Sequence, residues 1–393
     1  MVHRDGALPV FLLYFYFRRA LRTFAEKEEI EMDSISLSSL NGKKYFTSGM
    51  PDVTIAGTDG TSQQVTITCD GEQLLQETLW PMGNVITLSE LGELLEPYAR
   101  KQLVSSVTIS AGSTTATFTV LYAMVDVGIT AEEFFSGYFL SILMGTKITA
   151  PGRRELLWYY NEPAEETEEE ETEEEEESEE EEVLAVIAEY ADGSTRTFTP
   201  SAVGGSTTYT CIDVSPDNYL VQGKQLVAYT AQVGIRSQRF EIDFMEPDCA
   251  PILEFYNSFG VWEYIYCTGT HQVSPDYKRS SVRIGGRMRN YRIEETRTFK
   301  ADTGILNTAM ANWADDLFRS DEVYVVNVVS GQVVSADGGK EVVITESKSD
   351  RTNDDDHLPR FTFSYQYSQR IHNVLQMNRV GRIFDNTFDH TFN

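Results

Sequence analysis

Between Pro51 and Met124, apolar and polar positions alternate in short runs closed by turn residues. "QQVTITC" (Gln63–Cys69) alternates and is followed by the turn "DGEQ"; "SSVTIS" (Ser105–Ser110) and "TTATFTVLYAM" (Thr114–Met124) are split by "AGS". A period of two bounded by turn signals predicts β-strands. One stretch breaks the pattern. Thr87 and Glu90 have capping-box spacing, and Leu88, Leu91, Leu94, Leu95 and Tyr98 fall on one helical face. Gly92 and Pro97 should keep that helix short. A second box, Thr130 and Glu133, precedes "FFSGYFLSILMG", a short apolar helix or buried segment, and "ELLWYYNEP" closes the region.

Alternation resumes after an acidic run with "VLAVIAEYADGSTRTFTP", "STTYTCIDV" and "KQLVAYTAQVGIRSQRFEIDF", which predict a second small β unit. From residue 246, "PILEFYNSFGVWEYIYCTG" reads as a hairpin of two aromatic strands around "NSFG". "SSVRIGGRMRNYRIEETRTFKAD" reads as one or two long strands with a bulge at the glycine pair. The best helical pattern covers Thr308–Arg319, with Leu306, Met310, Trp313, Ala314 and Leu317 on one face and Asn307 or Thr308 as cap. "EVYVVNVV", "EVVITESKSD" and "RFTFSYQYSQ" are further strands.

The predicted fold is mainly β. Serial immunoglobulin-like β-sandwich modules precede a C-terminal β domain with one amphipathic helix, an α+β arrangement. No Cys…Trp…Cys signature accompanies the sandwiches. The expected divisions are a sandwich-like domain at 32–160, a linker at 161–182, a small β module at 183–245, a C-terminal domain at 246–375 and an extended arm at 376–393.

Composition changes this picture at two places. Hydrophobic content of 41% across 393 residues is ample for real cores. The net charge of −29 is concentrated in 161–182, which holds sixteen glutamates and no basic residue. Like charges without apolar area predict a disordered, extended tether between two β modules. The amino terminus is the second place. Pro9–Phe17, "PVFLLYFYF", is too short to span a bilayer and lacks the flanks of an export signal. Lys27-Glu28-Glu29 require purine-rich codons just upstream of Met32, where a bacterial ribosome-binding site would sit. Residues 1–31 are therefore expected to be a non-native leader, with Met32 as the start of a chain made in a bacterial cytoplasm.

Candidate chemistry is sparse. The histidines His3, His271, His357, His372 and His390 form no ligand spacing, and no nucleophile elbow, phosphate loop or dinucleotide fingerprint occurs. No catalytic, cofactor or metal residue is assigned, and an enzyme is not expected. Cys69, Cys211, Cys249 and Cys267 are read as buried free thiols. Asp354-Asp355-Asp356-His357 lies in a loop where Asp350, Asn353 and Asp355 lack the register and glycine of a calcium loop; it reads as a solvated hairpin loop. Two stretches are candidate interfaces. "FYNSFGVWEYIY" holds Phe255, Tyr256, Phe259, Trp262 and Tyr264, suited to core, interface or sugar stacking. Lys278, Arg279, Arg283, Arg287, Arg289, Arg292, Arg297 and Lys300 form the one basic stretch. On a regular strand Arg287, Arg289 and Tyr291 share a face and Arg292 opposes it. Glu294 and Glu295 within it argue against a nucleic-acid groove.

"ILEFYNSFGVWEYIYCTGT", "YRIEETRTFKADTGILNTAMANWADDLFRSDEVYVV" and "VVITESKSDRTNDDDHLPRFTFSYQYSQRIHNV" occur in that order over about 249–374. This order resembles poorly characterised proteins encoded beside tail genes in phages and prophages of gut anaerobes. The resemblance implies a virion structural protein of the tail or tail tip. Such a protein would act through contacts with other virion proteins and copies of itself, with no nucleic-acid partner and no membrane insertion. The alternative is a surface adhesin or carbohydrate-binding module that uses the aromatic strands.

Overall fold

A computed structural model describes residues 34–56, 60–161, 184–245, 247–334, 339–351 and 358–368. The expected leader, the acidic tether, the Asp354–His357 loop and the terminal arm lie outside the described residues. The protein is mainly β, with multiple sheets and, among the described residues, three short helices: α1 (Leu91–Gln102), α2 (Ala131–Gly137) and α3 (Thr308–Arg319). It divides into two compact units.

The first unit comprises Met1–Gly42, Met50–Leu94 and Ser106–Phe118. Its Gln63–Cys69 strand pairs with Glu72–Leu79 on one side and with Val104–Ala111 on the other. Asp70 and Gly71, both at positive φ, close the first hairpin, as the "DGEQ" turn predicts. Val65, Ile67 and Ile109 point inward and are fully buried. The polar residues between them alternate outward, so the period of two does set which face is core. A short sheet of Ile35–Ser36, Val53–Ala56 and Val85–Leu88 completes the unit. That pairing corrects the helix expected from Leu88. Thr87 lies in a strand opposite Thr54, and Glu90 takes a left-handed φ of 58°, so α1 starts only at Leu91. Pro97 sits inside α1 without ending it.

The second unit comprises Lys43–Gly49, Leu95–Ser105 and Thr119–Asn393. The Thr130/Glu133 box forms and caps α2, with each residue's side chain accepting from the other's backbone N–H. A three-stranded sheet (Leu156–Tyr160, Tyr209–Asp213, Ser201–Gly205) packs on a five-stranded one (Thr195–Phe198, Leu184–Tyr190, Leu226–Val233, Arg236–Ile242, Lys147–Thr149). Leu157, Tyr159 and Ile212 from one sheet and Val186, Tyr229, Ala231 and Phe240 from the other form one core, which makes a sandwich. This corrects the expected division into two β modules on either side of 161–182. Leu157 and Tyr159 precede the acidic run, Val186 and Ala188 follow it, and all four share that core. The run is therefore inserted within one sandwich, and 183–245 is no separate module. Strand pairing explains why: Leu156–Tyr160 is completed by Tyr209–Asp213, and Lys147–Thr149 runs parallel to Phe240–Ile242.

A seven-stranded sheet follows, in the order Trp262–Tyr266, Ile252–Tyr256, Val323–Val326, Lys340–Lys348, Thr362–Tyr367, Arg287–Asp302, Gln272–Ile284. Helix α3 matches its predicted bounds. The Asn307 side chain accepts from the Met310 N–H at 2.8 Å. Met310, Trp313, Ala314 and Leu317 cover the sheet residues Leu253, Phe255, Phe299 and Tyr365. Burying side chains of this size stabilises by about 1.5–3 kcal/mol each.

Candidate assembly interface

The edge strand Gln272–Ile284 of the seven-stranded sheet and its neighbour Arg287–Asp302 form one antiparallel hairpin. Gly285 (φ 59°) and Gly286 (φ 77°) are its two-residue turn. Positive φ at both central positions is the mirror-type turn whose twist matches a hairpin, and glycine adopts it without a Cβ clash. The glycine pair is thus the turn and not the expected bulge. The register shift lies further along, between Ser280 and Ser281, where Ser280 faces Arg292 and Ser281 faces Asn290. Tyr291 is the extra residue.

That bulge rearranges the faces. Cross-strand partners share a face and successive residues alternate. Val282 faces Arg289, Ile284 faces Arg287, and Ser280 faces Arg292. Arg287, Arg289 and Arg292 therefore lie on the same side, where uninterrupted alternation from Arg287 would have put Arg292 opposite. Lys278 and Lys300 continue this side toward the base of the hairpin. The other side carries Tyr277, Arg279, Arg283, Met288 and Ile293, and runs back to Val273 and Phe299, which join the core.

Only the base is braced. Thr298–Asp302 pairs with Thr362–Gln366. His271 stacks on Phe299 and Tyr365, and its Nε2 lies 2.8 Å from the Tyr365 hydroxyl. Burial lowers the His271 pKa. Beyond the base, among the described residues, 277–293 has no strand beside it. This ribbon reaches roughly 25 Å from Tyr277 to the turn at about 3.3 Å per residue. A two-stranded hairpin is marginally stable alone in water.

The composition of the ribbon is unusual. Lys278, Arg279, Arg283, Arg287, Arg289 and Arg292 give six cations in 277–293, with no acidic residue. Tyr277, Val282, Ile284, Met288, Tyr291 and Ile293 are exposed apolar side chains, with Met288 at 64% and Tyr291 at 68%. Arg292 pairs with Glu294, while Arg287 and Arg289 make no ion pair among the described residues. Glu295, which argued against a polyanion groove, is buried at the base against Arg297. At the foot of the ribbon, Gln272, Lys300, Glu346, Lys348, Thr362 and Ser364 line an open groove of about 1150 Å³. Arginine, tyrosine and methionine are the residue types enriched in protein interfaces.

The aromatic stretch divides differently. Phe255, Phe259 and Tyr264 face the interior and are almost wholly buried, so they offer no surface to a partner. Phe255 packs on Trp313 at 5.7 Å and Phe259 stacks on Phe134 at 4.7 Å. Tyr256 and Trp262 are half-buried and meet edge to face at 5.2 Å. Arg283, Arg287 and Arg289 are exposed. The exposed Val282, Ile284, Met288 and Ile293 were missed as site residues. Their signal was the alternation of arginine and apolar residues around "GG".

A smaller polar cavity of about 250 Å³ is lined by Arg100, Tyr122, Tyr256, Ser258, Asp316 and Arg319. Asp316 Oδ1 accepts from the Ser258 N–H at 3.0 Å and from its hydroxyl, while Oδ2 has no partner. Burial pushes the Asp316 carboxyl up to about 6. Cys69, Cys211 and Cys267 are buried free thiols, and Cys249 is half-buried and free. Among the described residues, no group of three His, Cys, Asp or Glu is placed to hold a metal ion, and no helix is long and apolar enough to cross a membrane.

No protein-family model matches the chain, and no curated protein matches it.

Proposed function

We propose that this protein is a structural subunit of a phage or prophage virion, in the tail or tail tip, and that it works by docking on other particle proteins and on copies of itself. The observation that carries the assembly role is the 277–293 ribbon. It exposes six apolar side chains and six cations on a braced hairpin, a surface with the make-up of an interface core and rim. The virion assignment draws on the order of elements over about 249–374.

The glycan-binding alternative is weaker. It needs a row of exposed rings, and Phe255, Phe259 and Tyr264 are buried.

The test replaces 279–291 by a two-residue turn in the producing phage or prophage. Purified particles should then lack the protein or fail to assemble tails, while the isolated chain keeps its far-ultraviolet dichroism and unfolding midpoint. Unaltered particles containing the shortened chain would overturn the ribbon as the assembly surface. Absence of the unaltered chain from purified virions would overturn the virion assignment.

A further inference from the structure

The ribbon's charge raises a problem for self-assembly that the chain itself answers. Copies carrying a net charge of −29 repel one another, and a cationic patch that meets an acidic one offsets that repulsion. The face with Lys278, Arg287, Arg289 and Arg292 is such a patch, and Lys300 and Lys348 extend it along the groove at its foot. Among the described residues, the acidic side chains on this face are Glu294, already paired with Arg292, Asp302, paired with Arg360, and Asp276 and Glu346 near the foot. Most of the chain's excess negative charge sits in one place, the sixteen glutamates of 161–182.

We infer that the occupant of this face is the glutamate run of a second copy of this chain, giving a head-to-tail contact. The inference rests on the assembly role proposed above and names its partner. Each copy carries one ribbon and one run, so every subunit in such an assembly can both give and receive. A contact of this kind closes a two-fold dimer where two copies exchange runs reciprocally, and builds rings or filaments where each copy gives to the next. An extended run of eighteen residues from Glu165 to Glu182 reaches up to roughly 60 Å at about 3.3 Å per residue, enough to follow the ribbon and the groove. Arginine suits the receiving side because its planar fork donates two parallel hydrogen bonds to one carboxylate. Val282 and Ile284, which share the face, would reduce water access around the contacts.

The contact separates from the broader assembly role by experiment. The full chain with 162–182 replaced by a neutral Gly/Ser linker is titrated with a labelled 161–183 peptide, read by fluorescence anisotropy. Binding should be measurable at low salt and weaken by roughly tenfold or more at 0.3 M salt, as exposed charge pairs do. It should be lost in R287Q/R289Q/R292Q, whose dichroism and unfolding midpoint serve as folding controls. Equal binding to that variant, or no binding, overturns the inference. Tighter binding of a random DNA duplex than of the peptide at the same salt overturns it in favour of a nucleic-acid partner. Sedimentation velocity of the intact chain distinguishes copies from self-occupancy. Concentration-dependent association that the linker replacement abolishes supports the contact between copies; a monomer at all concentrations overturns it. If the linker variant still associates through the ribbon, the glutamate run is the wrong partner while the assembly role stands.

Discussion

Lys147 Nζ lies 2.7 Å from Glu155 Oε2, and both side chains are buried. Each partner is held from other directions. Lys147 donates to the Tyr264 carbonyl at 3.3 Å and sits 4.5 Å from the centre of the Trp313 ring. Glu155 Oε1 accepts from the Thr149 hydroxyl at 2.8 Å. The pair therefore ties the sandwich strand Lys147–Thr149 to the Trp262–Tyr266 strand and to α3. Two charges out of water are costly alone and tolerable only in such a satisfied network.

Lys147→Met should leave Glu155 as an uncompensated buried charge and lower stability by about 3–5 kcal/mol. The double variant K147M/E155L removes both charges and should recover most of that loss. Urea unfolding midpoints measure both. A single variant no worse than the double would mean the pair is not charged in the folded protein.

Asp316 gives a pH dependence of opposite sign to that of most acidic residues. Its folded pKa is raised to about 6 from 3.8, so the folded state holds the proton more tightly. Between those values the folded chain binds more protons than the unfolded one, and stability falls as pH rises through the window. The shift corresponds to about 3 kcal/mol. D316N should keep the hydrogen bond from the Ser258 N–H and lose this dependence. The difference between the wild-type and D316N stability curves should be flat above pH 6.5 and slope between pH 4 and 6. No slope there would mean Asp316 titrates normally.

The elements that local pattern dictates were legible. Gln63–Cys69 and Thr308–Arg319 have the bounds their periodicity predicts, because one face of each must be apolar whatever it packs on. Non-local pairing was not legible. Nothing in "ELLWYYNEP" says that Leu156–Tyr160 pairs with Tyr209–Asp213, so the glutamates between them looked like a boundary. The ribbon was half legible. Its arginines stood out by charge, but the face of Arg292 depends on a bulge that only the register at Ser280 reveals. The aromatic stretch looks like one unit in composition, although strand alternation separates buried Phe255 from half-buried Tyr256.

Gly285→Val should strain the turn. A β-branched residue at a φ of 59° costs roughly 1–2 kcal/mol. That strain should loosen the ribbon without unfolding the sheet, because 281–290 makes no contribution to the buried core. Amide hydrogen exchange should accelerate by about tenfold at 281–290, as 1.4 kcal/mol predicts, while the global midpoint moves by less than about 0.5 kcal/mol. An equal fall in both would make the ribbon part of the cooperative core.

The two chemistries of the ribbon should separate in the kinetics of self-association. Cations act at long range and guide encounter, whereas apolar contacts form only after docking and retard release. R287Q/R289Q should slow association by about tenfold at low salt and little at high salt, with dissociation changed less. V282S/I284S should leave association nearly unchanged and speed dissociation by about tenfold or more, since each side chain removes roughly 1–2 kcal/mol of buried contact. Biolayer interferometry with the intact chain immobilised and in solution reads both rates across a salt series. If both variants alter only dissociation and salt has no effect on association, the cations are docking contacts like the apolar residues, and electrostatic guidance plays no part.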